Sequence, residues 1–127
     1  SLNECIYCVE HHFSGMKRLL EDASRADAIR VAIEARDPEL APLNAAQKLA
    51  MDYVRVLTRD PAGLTEKHVI DLRNAGYTDG EILEINQVSA YFSYANRTVL
   101  GLGCSTQGDI LGLSPNNSDD PNNWNHT

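Results

Sequence analysis

Apolar residues recur at spacings of three and four along most of this chain, and no segment alternates with period two for long enough to suggest a strand. Leu2, Ile6, Val9, Phe13, Met16 and Leu20 form one such series and predict a helix over about residues 2 to 22 with a single buried stripe. Ser24 with Asp27 three residues later reads as an N-cap and first-turn acid, opening a short helix through about Ala35 that stops before Asp37-Pro38. Pro38 and Pro42 fence a loop. Asn44 then caps a helix with Ala45, Leu49, Tyr53, Val56 and Leu57 on one side, ending at Asp60-Pro61. Thr65 begins a helix through about Ala75, and Gly76 falls where a left-handed C-cap belongs. Thr78 with Glu81 is a capping box, followed by a stripe of Ile82, Ile85, Val88, Phe92, Ala95 and Val99. The fold class expected is all-α.

The last part differs in kind. From Ser105 onward Gly, Ser, Pro, Asn and Asp dominate, so residues 1–104 read as a helical domain and 105–127 as a polar tail. Composition leaves two states open for the tail, disorder or docking through Trp124, whose indole is a natural anchor. A length of 127 residues suits one domain. The net charge of -7 argues against nucleic acid as a partner, because 11 basic residues are scattered among 18 acids. No stretch has the length and apolarity of a membrane span and no basic n-region precedes an apolar h-region, so the expectation is a soluble, cytoplasmic protein. Ser1 is not an initiator Met and the first apolar series begins at Leu2, which suggests that residues upstream are missing.

Chemistry concentrates in "ECIYCVEHH", Glu4 to His12. On one helix, positions 5, 8 and 12 fall within about 60° of arc, so two sulfurs and one imidazole face the same way. His12 can take the Cys8 thiol proton, and the thiolate is a nucleophile. A peroxide would oxidise Cys8 to a sulfenic acid, which Cys5 can attack to form a disulfide. His11 points about 100° away and suits a surface or packing role. Haem attachment would need a His directly after the second Cys, where Val9 stands. A structural zinc site using Cys5, Cys8, His12 and Cys104 is a rival, although such pairs usually lie on turns. Inert core thiols are another, and for Cys104 itself the inert reading leads.

The segment "CIYCVEHH" resembles the CxxCxxxH signature of the alkylhydroperoxidase AhpD-like proteins, within the carboxymuconolactone decarboxylase superfamily. The segments "AGLTEKHVIDLRNAGYTDGEILEINQVSAYFSYANRT" and "GDILGLSPNNSDDPNNW" resemble an uncharacterised peroxidase-related branch of that group. The resemblance implies a multihelical AhpD-like fold, a homo-oligomer, and reduction of hydroperoxides with electrons returned by an external dithiol donor. It implies Cys8 as the peroxidatic thiol, Cys5 as its resolving partner and His12 in the proton relay, with no metal or organic cofactor. Two departures stand out. The family's relay Glu lies several turns before the first Cys, a position that would precede Ser1, and Tyr7 occupies the place of a second His. The family's helices before the motif also make this chain look like the C-terminal part of a longer protein. The alternatives are a general thiol-disulfide oxidoreductase and a non-catalytic oligomeric scaffold with a structural CxxC or zinc site. Tyr91, Phe92 and Tyr94 cover more than one face of the last helix, which predicts a symmetric interface over 91–97 with Trp124 packed on protein.

Overall fold

The computed structural model describes residues 2–109, 111 and 112; Trp124 and its expected packing lie outside them. The described residues are all-helical. Five α-helices follow one another: α1 (Ile6–Leu20), α2 (Ala23–Ala35), α3 (Ala45–Arg59), α4 (Glu66–Asn74) and α5 (Asp79–Gly101). Short 3-10 turns at Pro38–Leu40 and Pro61–Gly63 take the places where prolines fence the loops. No helix among the described residues is long and apolar enough to cross a membrane.

Side-chain caps fix the helix starts. Asn44 accepts from the Gln47 N–H while the Gln47 side chain accepts from the Asn44 N–H, and Thr78 and Glu81 repeat the same reciprocal bonds at the head of α5. Gly76 has φ +101° between α4 and α5, a conformation that costs a residue with a Cβ. α2 differs from expectation: its N-cap is Asp22, whose carboxylate accepts from the Arg25 N–H at 2.9 Å, so Ser24 lies one residue inside the helix. A carboxylate at the cap also meets the positive end of the helix dipole, which favours Asp22 over the serine hydroxyl.

The core sits between α3, α4 and α5. Leu72 is fully buried beside Ala50, Tyr53 and Ile82, with Leu49, Leu57, Val69 and Ile85 packed around them. The Tyr53 hydroxyl accepts from the Asn86 side-chain amide at 2.7 Å, so burial of the phenol leaves no orphan polar atom. Helices α1 and α2 form a hairpin that also touches α5 through α1. Arg30 of α2 ties it together, with donors at 2.5 Å from Glu10 and 2.6 Å from Glu34 and its guanidinium 5.1 Å from the Phe13 ring centre. Those two carboxylates raise the Arg30 pKa.

Helix α1 starts later than its apolar series. Glu4 takes a left-handed φ of +58°, which ends any helix running in from Leu2, and a contact of 3.0 Å from Arg36 to Glu4 accompanies that turn. Consequently Leu2 is not helical and Ile6, at 75% exposure, is not part of the buried stripe. Val88 is likewise 55% exposed, although it belongs to the apolar series of α5. Hydrophobic spacing marks a face but does not say how many neighbours cover it.

Candidate redox site

Cys5 is the N-cap of α1, with extended backbone at φ -85° and ψ 95°. Its Sγ accepts from the Cys8 N–H at 3.3 Å, satisfying one of the free donors of the first helical turn. Cys8 is the third residue of the helix, so its Cα lies 5.4 Å from that of Cys5 and the two sulfurs are joined as a disulfide. The pair expected to bridge is therefore bridged. Cys5, however, caps the helix instead of lying within it, so the arc computed for residues of one helix holds for Cys8 and His12 only.

The two cysteines differ in what they face. Cys5 is 1% exposed and lies behind the surface, whereas Cys8, at 9%, contributes to the wall of an open cleft of about 800 Å³. His12, one helical turn beyond Cys8, lines the same cleft. Most of the remaining wall is apolar: Val9, Phe13 and Met16 come from α1, Met51 and Val54 from α3, and Ile85 and Phe92 from α5. Glu81 and Glu84 also reach this wall.

The His12 and Phe92 rings meet edge to face with centroids 4.7 Å apart, while the His12 residue as a whole remains exposed. Partial loss of water around the ring, which disfavours its charged form, lowers its pKa below 6.5, and the nearby His11 lowers it further. A neutral imidazole is thereby favoured at neutral pH, the form that accepts a proton. Because the folded state disfavours protonated His12, its contribution to stability falls as pH drops through 6.5.

The outer face of α1 carries a second set of contacts. The Tyr7 hydroxyl donates to the Asp109 carboxylate at 2.9 Å, and that carboxylate, foremost through this bond, raises the phenol pKa. Tyr7 therefore stays protonated and serves as a donor. The His11 ring lies parallel to Tyr7 with centroids 6.0 Å apart, and its Nδ1 accepts from the Gly112 N–H at 3.4 Å, the packing role expected for it. Gly112 lies so close to α1 that a Cβ there would stand 2.5 Å from the Gly15 nitrogen. The first residues of the polar tail thus lie along the helix that bears the cysteines.

Cys104 is a free, exposed thiol just beyond α5. Among the described residues no three His, Cys, Asp or Glu side chains converge as metal ligands. Two features of the site escaped sequence reasoning. Phe92 reads in sequence as one more member of a core stripe, and the Tyr7–Asp109 bond joins residues 102 positions apart. The cap role of Cys5 had a faint signal, since it stands three residues before an N–H it can accept from, in the spacing of an ordinary Ser or Asp cap.

No protein-family model and no curated protein sequence matches this chain.

Proposed function

We propose that this chain acts as an AhpD-like thiol peroxidase that reduces hydroperoxides carrying an apolar body. The observation that carries the reading is the placement of Cys8 and His12 together on the wall of an apolar cleft, with Cys5 bridged to Cys8 from behind. In the reduced enzyme His12 takes the Cys8 thiol proton, and the thiolate attacks the terminal oxygen of ROOH. The O–O bond breaks, Cys8 becomes a sulfenic acid, and the departing alkoxide takes a proton from His12 to leave as ROH. The Cys5 thiol then attacks the Cys8 sulfur, forming the disulfide and releasing water. Two exchange steps with an external dithiol return both thiols and leave the donor as its own disulfide.

Single-turnover thiol loss in the reduced protein tests this. Covering roughly 100 Å² of an aryl substituent at about 25 cal/mol per Å² is worth about 2.5 kcal/mol. Even partial coverage makes cumene hydroperoxide react about tenfold or more faster than hydrogen peroxide on that basis. Equal rate constants for the two would refute a role for the cleft in binding, and no reaction with either would refute the peroxidase reading.

The proton role of His12 has its own signature. Since the His12 pKa lies below 6.5, the wild-type rate is expected to hold its value down through neutral pH and to fall only on the acid side of 6.5. His12→Ala should slow the reaction most near neutral pH and least at high pH, where the thiol ionises unaided. A loss of equal size at every pH would assign His12 to packing.

A second reading draws on the cap. A sulfur that accepts a first-turn N–H sits where a helix N-terminus stabilises a thiolate, an arrangement suited to thiol-disulfide exchange. Rapid reaction with a small disulfide but none with hydroperoxides would select that function.

A further inference from the structure

Among the described residues Asn96 is the one buried polar side chain, at 7% exposure, and it lies in the wall of the redox cleft. Its amide nitrogen donates to the Phe92 carbonyl one turn back along α5. A carbonyl can only accept, so the amide is oriented with its nitrogen toward that turn and its oxygen turned away. The oxygen is the acceptor that Asn96 has left to offer, and a buried amide oxygen calls for a donor.

The direction of the helices sets Asn96 opposite the reactive sulfur. Phe92 packs on His12 with ring centroids 4.7 Å apart. The Tyr7 phenol, held protonated foremost by its bond to Asp109, also feels the Cys104 thiol just beyond α5, so the end of α5 lies near the first turn of α1 and the two helices run antiparallel. Asn96 is one turn after Phe92 on α5, and Cys8 is one turn before His12 on α1. Both steps move the same way along the cleft, which brings Asn96 level with Cys8. The carboxylates that α5 gives to the same wall are remote from this point, with Glu84 about 18 Å back along the helix axis and Glu81 further still.

We infer that the Asn96 amide oxygen accepts the O–H hydrogen of the hydroperoxide and so holds its terminal oxygen over Cys8. The inference rests on the peroxidase reading and supplies a contact that reading leaves open. Protonated His12 donates to the oxygen that departs, but neither cysteine nor His12 holds the oxygen that is attacked. As the Cys8 sulfur bonds to that oxygen, the O–O bond breaks, so sulfur is oxidised and the peroxide reduced. The hydrogen held by Asn96 stays on its oxygen as the S–OH of the sulfenic acid, and the alkoxide leaves with the His12 proton. An amide suits this place because it accepts without charge, whereas a carboxylate would oppose the thiolate beside it. A disulfide substrate has no O–H and gains nothing from the contact.

Two single-turnover rate constants of the reduced whole chain test the inference, one with cumene hydroperoxide and one with dithiodipyridine, a disulfide that the same thiolate attacks. Asn96→Leu keeps the size of the side chain and removes the acceptor. It should lower the hydroperoxide constant about tenfold, the worth of one hydrogen bond, and leave the disulfide constant within about twofold of wild type. Asn96→Ser keeps a hydroxyl that can donate to the Phe92 carbonyl across the same turn but is too short to reach into the cleft. It should show the same selective loss, and it decides the matter if the leucine variant does not fold. Equal losses with both substrates would make Asn96 a packing residue, and a hydroperoxide constant within about twofold of wild type would remove it from the site. Either result overturns the inference while the peroxidase reading stands. A wild-type chain that attacks the disulfide but no hydroperoxide overturns that reading, and this inference with it.

Discussion

Cys8→Ser is expected to abolish peroxide-driven thiol loss, whereas Cys5→Ser should still react once and leave a sulfenic acid at Cys8 that dimedone traps. The asymmetry follows from placement. Cys8 meets the cleft, and a peroxide that enters it reaches that sulfur first; Cys5 is 1% exposed and is reached only through Cys8. The two variants also differ in their effect on folding. At position 5 the side chain caps α1 by accepting from the Cys8 N–H, and a serine oxygen is a stronger cap than a sulfur. Cys5→Ser therefore keeps the helix start, so its activity reports chemistry alone. At position 8 the substitution removes the nucleophile and preserves the size of the side chain. Mass spectrometry of the dimedone adduct distinguishes the two, and an adduct at Cys5 in the Cys8→Ser protein would reverse the roles.

What the sequence made legible depended on the kind of signal. The starts of α3 and α5 could be read because Asn44 and Thr78 are side chains whose capping bonds are local, made within three residues, and at α4 the His68 ring accepts from the Thr65 N–H over the same span. The start of α1 could not, because the apolar spacing continues to Leu2 while a left-handed residue at Glu4 breaks the backbone between. Nothing in a glutamate announces that conformation. The grouping of Cys5, Cys8 and His12 was legible from spacing, since Cys8 and His12 share a helix face and the Cys5 side chain reaches Cys8 across two residues. Its surroundings were not: the apolar cleft wall is assembled from α1, α2, α3 and α5, and only packing brings those segments together. Val88 shows the same limit from the other side, since its place in a 3.6-residue stripe says nothing about whether another element lies over it.

Leu72→Ala should cost about 2–5 kcal/mol of unfolding free energy, the range for removing a fully buried leucine whose neighbours close only part of the space left. Leu72 has no exposed surface and lies against Ala50, Tyr53 and Ile82, so one side chain is shared by all three helices of the core. Few other residues are buried as deeply, and a domain of ordinary stability has about 5–15 kcal/mol in total. A loss of this size therefore removes a large fraction of the margin. The change should appear in urea unfolding as a lower midpoint with the slope unaltered, since the surface exposed on unfolding is almost the same. Leu72→Ile, which keeps the volume, should cost less than about 1.5 kcal/mol. The redox pair sits on α1, outside this cluster, so under native conditions the Leu72→Ala protein should still form the Cys5–Cys8 bridge. If the alanine costs no more than the isoleucine, Leu72 is not where the three helices are held. If the bridge is lost as well, the α1–α2 hairpin depends on the core more closely than its contacts with α5 indicate.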